Sequence, residues 1–331
     1  MQRNLLEIKD LNVTFTTDEG TFNAVENVSF HVGRGEIVGL VGESGCGKSV
    51  TALSILRLIP SPPGRIERGN IFFKGKDLLQ MSSGDMRKFR GRAISMIFQE
   101  PVAALSPLHR IGQQMKEVLI LHKKISKERA KQISTEWLEK VKIPDAKEKM
   151  AAYPHQLSGG MQQRVMIAMA LMLDPELIIA DEPTTALDVT VQAQVFELIL
   201  EMKQKHTSIL LITHDMGVIW EMCDRVIVMY AARIAEEANR NDIFSNPAHP
   251  YTQGLLKSIP KLSTDGERLK TINGQVPSPA NYPSGCHFRD RCPYAFDRCR
   301  EEEPPLFNIA KGHKAACFLV QQRELLNRSG E

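Results

Sequence analysis

The most constraining stretch of this chain is a glycine-rich octapeptide, GESGCGKS, at residues 42–49. It fits the pattern G-x-x-x-x-G-K-[ST], in which glycines let a loop wrap around phosphates while backbone N–H groups point inward. The apolar run GEIVGLV before it predicts a buried strand, and residues 50–58 predict a helix whose N-terminus attracts anions. An ordinary glycine turn does not require these flanks. The sequence therefore predicts a strand, a phosphate loop and a helix that bind a nucleotide.

Within this phosphate loop (residues 42–49), Lys48 is expected to reach the β- and γ-phosphates, and the Ser49 hydroxyl to ligate Mg²⁺. Upstream, Phe15 and Phe22 are candidates for stacking on the base, although a core position explains each equally well. They lie in two strand-like runs separated by TTDEGT, which favours an antiparallel hairpin. The residues predicted to contact the nucleotide around the loop are Gly42, Glu43, Ser44, Gly45, Cys46, Gly47, Lys48, Ser49 and Val50.

Polar side chains end three further strand-like runs, LIIA, RAISMIF and SILLIT. Asp181 is expected to hold Mg²⁺, and Glu182 to polarise the attacking water as general base. Gln99 is a candidate ligand of Mg²⁺ and of that water, and His214 a candidate contact of the γ-phosphate. In an open α/β sheet, ligands bind at the carboxyl ends of strands. Taken alone, a Gln or a His at such a position would more often be structural.

A second predicted phosphate-binding surface is LSGGMQQR at residues 157–164, here called the signature segment. Ser158 is a good N-cap, and Gly159 and Gly160 allow close backbone approach at a helix N-terminus. Between the strand before Gln99 and this segment, residues 107–149 are Lys/Glu-rich and helical in pattern, which predicts a helical insert.

Composition limits the class of partner. The chain has 331 residues, 42% of them hydrophobic, and a net charge of +3 without a Lys/Arg-rich block. This length suits two or three domains, and the charge gives no reason to expect nucleic acid as a partner. The N-terminal residues lack a signal-peptide core, and no apolar run approaches the ~18 residues of a membrane span. We expect a protein that is cytosolic or peripheral on the cytosolic side of a membrane.

Taken together, these motifs resemble the ATP-binding subunits of ABC transporters over residues 5–236. The resemblance implies an α/β fold of the P-loop NTPase class, with an antiparallel β subdomain and a helical subdomain at residues 102–165. It implies an ATPase domain at residues 1–245 and a loop-rich C-terminal extension at residues 246–331. The matching residues, beyond the phosphate loop, are Gln99 of the Q-loop, Leu157, Ser158, Gly159, Gly160 and Gln162 of the signature, Asp181 and Glu182 of Walker B, Asp188 of the D-loop and the switch His214.

The resemblance also implies an assembly. Such subunits pair head to tail, so that ATP lies between the phosphate loop of one chain and the signature segment of the other. Lys48 and Ser49 would then act in cis, while the signature residues complete the partner's site. The implied partners are a second ATPase subunit, a paralogue or this chain itself, two membrane permeases and an extracytoplasmic substrate-binding protein. The implied location is the cytoplasmic face of the inner membrane, and nucleic acid is not expected.

The C-terminal extension indicates which group of ABC transporter ATPases this chain resembles. PAHPYTQGLLKSIP at residues 247–260 and the cysteine-rich segment resemble the oligopeptide, dipeptide and nickel importer ATPases. This implies peptide import; nickel, glutathione or antimicrobial-peptide transport, and more remotely a non-transport ABC ATPase, are alternatives. Cysteine clustering in a cytosolic protein favours a metal site over disulfides. The cysteines concerned are Cys286, Cys292, Cys299 and Cys317.

Their spacing, C-x5-C-x6-C-x17-C, lacks the C-x₂₋₄-C pairs of structural zinc sites and suits a four-iron four-sulfur cluster. Zinc, reduced thiols or a disulfide remain alternatives. His287 and His313 could substitute as ligands if zinc were bound, but four cysteines are available and the histidines are not needed. One departure from the family lies after the last core strand, where glycines are frequent. This chain has Ala232 and Ala238 there, and an alanine would be strained if the position needs a positive φ.

Overall fold

The structure is a computed structural model, which describes residues 4–18, 20–101, 104–184, 187–204, 207–259 and 271–321. The chain separates into two compact units. The first unit comprises residues 1–5, 32–37 and 80–212, and the second comprises residues 6–31, 38–79 and 213–331. The domain boundary at residue 245 stays a prediction.

The strands, in chain order, are β1 Asn4–Thr17, β2 Gly20–Gly33, β3 Ile37–Val41, β4 Gly64–Phe73, β5 Lys76–Asp77, β6 Ile94–Ile97, β7 Leu177–Asp181, β8 Ser208–Ile212, β9 Arg225–Tyr230, β10 Arg233–Asn239, β11 Phe307–Ala310 and β12 His313–Ala315. The helices are α1 Lys48–Ile55, α2 Ser83–Phe89, α3 Ile111–Lys123, α4 Lys127–Lys140, α5 Ala146–Lys149, α6 Gly159–Leu171, α7 Val189–Gln204, α8 Met216–Met222, α9 Arg240–Ser245, α10 Pro250–Lys257 and α11 Arg298–Glu301.

The first unit contains three parallel strands, β6, β7 and β8, in which Ile94 pairs with Leu177 and Leu177 with Ser208. Every residue of these strands is buried, as expected for parallel strands that are covered on both faces. Helices α3, α4 and α6 of this unit pack on one another, and α4 buries Trp137 and Leu138. The stretch predicted to be helical between residues 107 and 149 contains α3, α4 and α5.

The second unit contains two sheets. One is antiparallel with the strand order β2-β1-β4-β5, so the two predicted strands before the phosphate loop are neighbours. The other runs β3-β9-β10-β12-β11 and is parallel only between β3 and β9. The extension therefore adds two strands to this sheet, where Ala315 of β12 pairs with Glu236 of β10.

A two-residue turn joins β9 to β10. Its residues, Ala231 and Ala232, have φ values of 42° and 70°, the left-handed region that favours glycine. Ala238, in contrast, lies inside β10 opposite Val226. The strain predicted for these alanines is thus present at Ala232 and absent at Ala238.

Across the parts of the chain that the structure describes, every helix is too short or too polar to cross a lipid bilayer.

Candidate functional site

The phosphate loop lies in the second unit and depends on its glycines. Gly42 and Gly47 have φ values of 152° and 102°. A side chain at Gly42 would collide with the backbone oxygen of Met229, and one at Gly47 with that of Ala24. Only glycine fits these two positions, which leaves the backbone close enough to cradle a phosphate.

Lys48 begins helix α1, and its ammonium group turns back over the loop. Nζ donates hydrogen bonds to the Gly42 oxygen at 2.7 Å and the Glu43 oxygen at 3.0 Å, and lies 3.7 Å from Cys46 Sγ. Burial raises the pKa of the Cys46 thiol, and Lys48 opposes that shift only in part. The loop therefore carries a buried cation beside a thiol that burial favours in its neutral form, an arrangement suited to an anionic ligand.

The two candidate stacking residues lie together in the second unit. The Phe15 and Phe22 rings stack with centroids 6.2 Å apart and an interplanar angle of 16°. Both side chains are half-buried. Each ring packs on the other and keeps exposed surface, so stacking of either ring on a base stays a prediction.

Glu43, the second residue of the phosphate loop, is bound by the extension. The Arg291 guanidinium donates from Nη1 to Oε2 at 2.7 Å and from Nη2 to Oε1 at 3.0 Å. The Glu43 N–H donates to the Tyr251 hydroxyl at 2.8 Å. These partners escaped the sequence analysis because they are more than 200 positions away in the chain and belong to no motif.

The predicted Mg²⁺ and water ligands at the strand ends, Asp181, Glu182 and Gln99, lie in the first unit. Asp181 is buried at the end of β7, and Glu182 follows it with a φ of 45°. The Glu182 N–H donates to the Ile212 oxygen at 2.9 Å, which ties this strained residue to β8. Gln99, beyond the end of β6, donates from Nε2 to Glu182 Oε2 at 3.2 Å. Parallel strand ends thus bring Gln99 and Glu182 together.

Asp188 lies in the loop after β7, and His214 lies just after the end of β8. The Asp188 carboxylate accepts the Val191 N–H at 3.0 Å, so this residue caps helix α7 of the first unit. Residues 185 and 186 of the D-loop lie outside the described residues. His214 is exposed in the second unit, directly before Asp215, which caps α8 by accepting the Gly217 N–H at 2.7 Å.

The signature segment has the predicted helix start. Ser158 accepts the Met161 N–H at 3.3 Å and caps α6, and Leu157 before it is buried. A side chain at Gly159 would meet no atom within 4 Å, so this face of the helix end is open. Gln162 points back instead, donating from Nε2 to the oxygens of Pro154 and Leu157 at 2.9 and 3.1 Å.

Two residues of this segment have roles that the sequence analysis missed. The fully buried Gln163 donates to the oxygen of Pro183, next to Glu182. Arg164 donates from Nη1 to the Lys142 oxygen at 2.6 Å and from Nε to the Gly160 oxygen at 3.3 Å. Gln163 stands between the polar residues Gln162 and Arg164 at the start of α6, so no sequence signal set it apart as buried.

The four extension cysteines, here the cysteine quartet, line one small cavity in the second unit. Burial raises the pKa of the Cys286 thiol to about 11 and that of the Cys317 thiol to about 12, and neighbouring cysteines add to both shifts. All six cysteines of the chain are described, and each is a free thiol. Among the described residues, no three His, Cys, Asp or Glu side chains are grouped so that they could hold one metal ion.

The two histidines considered as zinc ligands are engaged elsewhere. His287 Nδ1 lies 2.7 Å from the Ala231 oxygen, and His313 Nε2 lies 2.7 Å from Glu236 Oε1. Neither lines the cavity of the quartet. Each ring therefore has one nitrogen directed at the β9–β10 hairpin, and the substitution of these histidines as zinc ligands stays a prediction.

Comparison with known proteins agrees with these features. The model of the ABC transporter family matches residues 25–185, and that of the oligopeptide/dipeptide transporter C-terminal region matches residues 235–299. A dimeric structure of the ATP-binding cassette MJ0796, in a post-hydrolysis state bound to ADP and Pi, aligns with a TM-score of 0.65 and 26% identity. That alignment covers 71% of this chain and 98% of the other.

Full-length relatives are more similar. The oligopeptide transport ATP-binding protein AppD of Bacillus subtilis (strain 168) is 50% identical over 96% of this chain and 97% of its own length. OppD of Escherichia coli (strain K12), also an oligopeptide transport ATP-binding protein, is 48% identical over 95% and 93%, respectively. The chain therefore belongs to the ATP-binding subunits of ABC transporters, in the group that carries the oligopeptide/dipeptide transporter C-terminal region.

Proposed function

We propose that this chain hydrolyses ATP to energise the import of peptides through an ABC transporter. The observation that carries the substrate class is the similarity to oligopeptide transport ATP-binding proteins over nearly the whole chain, extension included. The ATPase activity agrees with the glycine cradle around Lys48 and with the Gln99–Glu182 pair.

In the proposed reaction the loop N–H groups and Lys48 bind the β- and γ-phosphates, because both are positive and close to the glycine backbone. Ser49, Asp181 and Gln99 would hold Mg²⁺, which neutralises developing phosphate charge when bound. The Glu182 carboxylate accepts the proton of the attacking water, and its hydrogen bond from Gln99 orients it. His214 contacts the γ-phosphate.

The signature segment is proposed to act on a second ATPase subunit. The open end of α6 at Ser158 and Gly159 presents amide donors to an anion from outside the chain. The dimeric cassette MJ0796 supports a paired arrangement. Two permeases, a substrate-binding protein and attachment to the cytoplasmic membrane face complete the proposed assembly.

We also propose that the cysteine quartet holds a four-iron four-sulfur cluster. All four cysteines line one cavity, and burial raises the pKa of the Cys286, Cys292 and Cys317 thiols, which makes these three costly to ionise without a metal. A single zinc needs its ligands grouped around one ion, whereas such a cluster takes one thiolate at each of several irons. The spacing C-x5-C-x6-C-x17-C, without C-x₂₋₄-C pairs, therefore supports a cluster over zinc, and the proposed contribution of the cluster is to cross-link the extension.

Metal analysis tests the quartet. The purified chain should contain iron and acid-labile sulfide and absorb near ~400 nm, as thiolate-bound clusters do. Cys292→Ser should remove most of the iron, while Cys223→Ser, outside the quartet, should leave it. One zinc per chain and no iron would refute the cluster.

Affinity purification tests the transport function. The Glu182→Gln chain is isolated from detergent-solubilised membranes with ATP present, and the bound proteins are identified by mass spectrometry. Two polytopic permeases and a binding protein that carries peptides support the proposal. A binding protein loaded with nickel or glutathione would show that the transported substrate is not a peptide. Recovery of only soluble partners would show that the chain does not serve a transporter.

A further inference from the structure

The Glu43 carboxylate puts a negative charge in the loop that is proposed to bind a more negative ligand. Two parallel hydrogen bonds from Arg291 neutralise it, at 2.7 and 3.0 Å. Bidentate pairs of this kind are among the strongest charge-assisted hydrogen bonds in proteins. Arg291 belongs to the extension, so the charge of the phosphate loop is set from outside the nucleotide-binding motifs.

The Arg291 side chain is fixed before it reaches Glu43. Only 6% of it is exposed, and its Nε donates to the Asn273 oxygen at 2.9 Å. Its guanidinium group also lies over the Tyr230 ring, 5.7 Å from the ring centroid. A guanidinium held at these two points loses little conformational freedom when it pairs with a carboxylate.

The backbone of Glu43 is held from the same side. Tyr251 is fully buried, and its hydroxyl accepts the Glu43 N–H at 2.8 Å. Its ring packs on Tyr230 and Phe288 with centroids 4.7 and 5.4 Å away. Both the side chain and the peptide N–H of one phosphate-loop residue are therefore anchored in the extension.

We propose that Arg291 and Tyr251 are positioning residues for the phosphate loop, through which the C-terminal extension sets the affinity for the nucleoside triphosphate. This inference rests on the proposed binding of ATP by that loop. Arg291 removes the repulsion between the Glu43 carboxylate and the phosphates, and Tyr251 fixes the loop geometry at the same residue. An unpaired, partly buried carboxylate beside a triphosphate would repel it strongly, because few water molecules screen the two charges.

The test is the dissociation constant of ATP for the full chain, measured by calorimetry. Arg291→Met should weaken ATP binding about 10-fold or more, the scale on which loss of a charge-pair partner acts. The loss should be smaller for ADP and smallest for adenosine, because the repulsion grows with ligand charge. Tyr251→Phe, which keeps the ring packing, should weaken binding by a few-fold.

Arg298→Met is the matched control. Arg298 is also in the extension, packs over the Phe318 ring at 4.1 Å and pairs with Glu302. Among the residues that the structure describes, none of its hydrogen bonds or ion pairs reaches the phosphate loop. Its loss should change ATP affinity by less than about 2-fold. The double variant Glu43→Gln/Arg291→Met, which lacks the unpaired carboxylate, should recover most of the affinity lost in Arg291→Met.

Parent-like ATP binding by Arg291→Met overturns the proposal, as does a double variant that binds no better than Arg291→Met. If Arg291→Met does not fold, Arg291→Lys carries the test, since it keeps the charge without the two-pronged geometry. Its binding should be intermediate, and parent-like binding would contradict the inference. Failure of the parent chain to bind ATP would instead remove the proposed function itself.

Discussion

The Gln99 side chain donates a hydrogen bond to the Glu182 carboxylate, with 3.2 Å between Nε2 and Oε2. Two strands that lie side by side in the first unit bring these residues together, although they are 83 positions apart in the chain. This hydrogen bond orients the carboxylate that is proposed to take a proton from water.

Glu182→Gln should lower ATP turnover by roughly 10²–10⁴-fold, the usual contribution of a general base. The introduced amide oxygen can still accept from Gln99, so the geometry is kept and ATP binding should persist. Phosphate release by the assembled transporter measures this. Glu176→Gln, at the surface of the same unit, should hydrolyse ATP at the parent rate. Parent-like turnover in Glu182→Gln would mean that another group takes the proton.

Lys48→Ala should weaken ATP binding by about 10-fold to 100-fold, because it removes a charge-assisted donor worth about 1.5–3 kcal/mol. The Gly42 and Glu43 backbone oxygens, which accept hydrogen bonds from Lys48, would accept them from water instead. Equilibrium binding of a fluorescent ATP analogue measures the change. Lys123→Ala, which removes a surface ion pair with Asp174, is the control and should bind normally. Unchanged affinity in Lys48→Ala would exclude this residue from phosphate binding.

Ser158→Ala should cost about 1 kcal/mol of unfolding free energy, since α6 loses its N-cap. Ser126→Ala is a matched variant, because Ser126 caps α4 by accepting the Arg129 N–H at 3.2 Å. Both should unfold at similar denaturant concentrations. Only Ser158→Ala should reduce ATP hydrolysis by the paired subunits. Equal activities of the two variants would limit Ser158 to a structural role.

Stability at acid pH should depend on Glu236. Burial alone would raise the pKa of this carboxyl, but hydrogen bonds from His313, the Ala248 N–H and the His249 N–H outweigh burial and lower it. Because the folded pKa is below the unfolded value of about 4.5, the unfolded chain takes up the proton first as the pH falls. The stabilisation is therefore complete above about pH 4.5 and is lost as the pH falls through the folded pKa.

Glu236→Gln should lower the free energy of unfolding at neutral pH by about 2–4 kcal/mol, because it weakens several buried hydrogen bonds. It should also flatten the dependence of stability on pH below about pH 4.5. Urea titrations over that range compare it with the parent and with Glu221→Gln, at an exposed site. A parent-like acid profile in Glu236→Gln would place the acid sensitivity in other groups.

Ala232→Gly should stabilise the chain by up to about 1 kcal/mol. An alanine in the left-handed region costs about 1–2 kcal/mol, which replacement by glycine would relieve. Glycine also has more conformational freedom in the unfolded chain, and this offsets part of the gain in stability. Ala238→Gly, in the interior of β10, should destabilise it, since no strain is relieved there. Thermal unfolding of the two variants should thus shift in opposite directions. A lower midpoint for Ala232→Gly would show that the alanine methyl matters more than the strain.

Contiguous motifs predicted most of the nucleotide-binding elements, because short spacings determine which groups face a phosphate. Alternation and apolar runs likewise predicted the hairpin β1–β2 and the buried strands β6, β7 and β8. Gln99 and Glu182 were each predicted to lie at the carboxyl end of a strand, but the hydrogen bond between them was not predicted.

Features that depend on distant pairing escaped prediction. Strands β11 and β12 are four and three residues long, too short for a periodic pattern. The Arg291–Glu43 pair joins positions 248 apart, and a single arginine carries no motif. His313 was considered as a substitute zinc ligand, and its partner is a glutamate of β10, which a local pattern cannot reveal.

The pairing of β12 with β10 also has a consequence for synthesis on the ribosome. Strand β10 ends at Asn239, but its outer neighbour is made of residues 313–315. The nascent chain therefore carries β10 as an open sheet edge, with unpaired N–H and C=O groups, until residues 313–315 have been synthesised. A chain truncated before residue 313 lacks β12, so the edge of β10 stays unpaired. Such a truncated product should aggregate, whereas the chain that includes β12 should stay monomeric during synthesis.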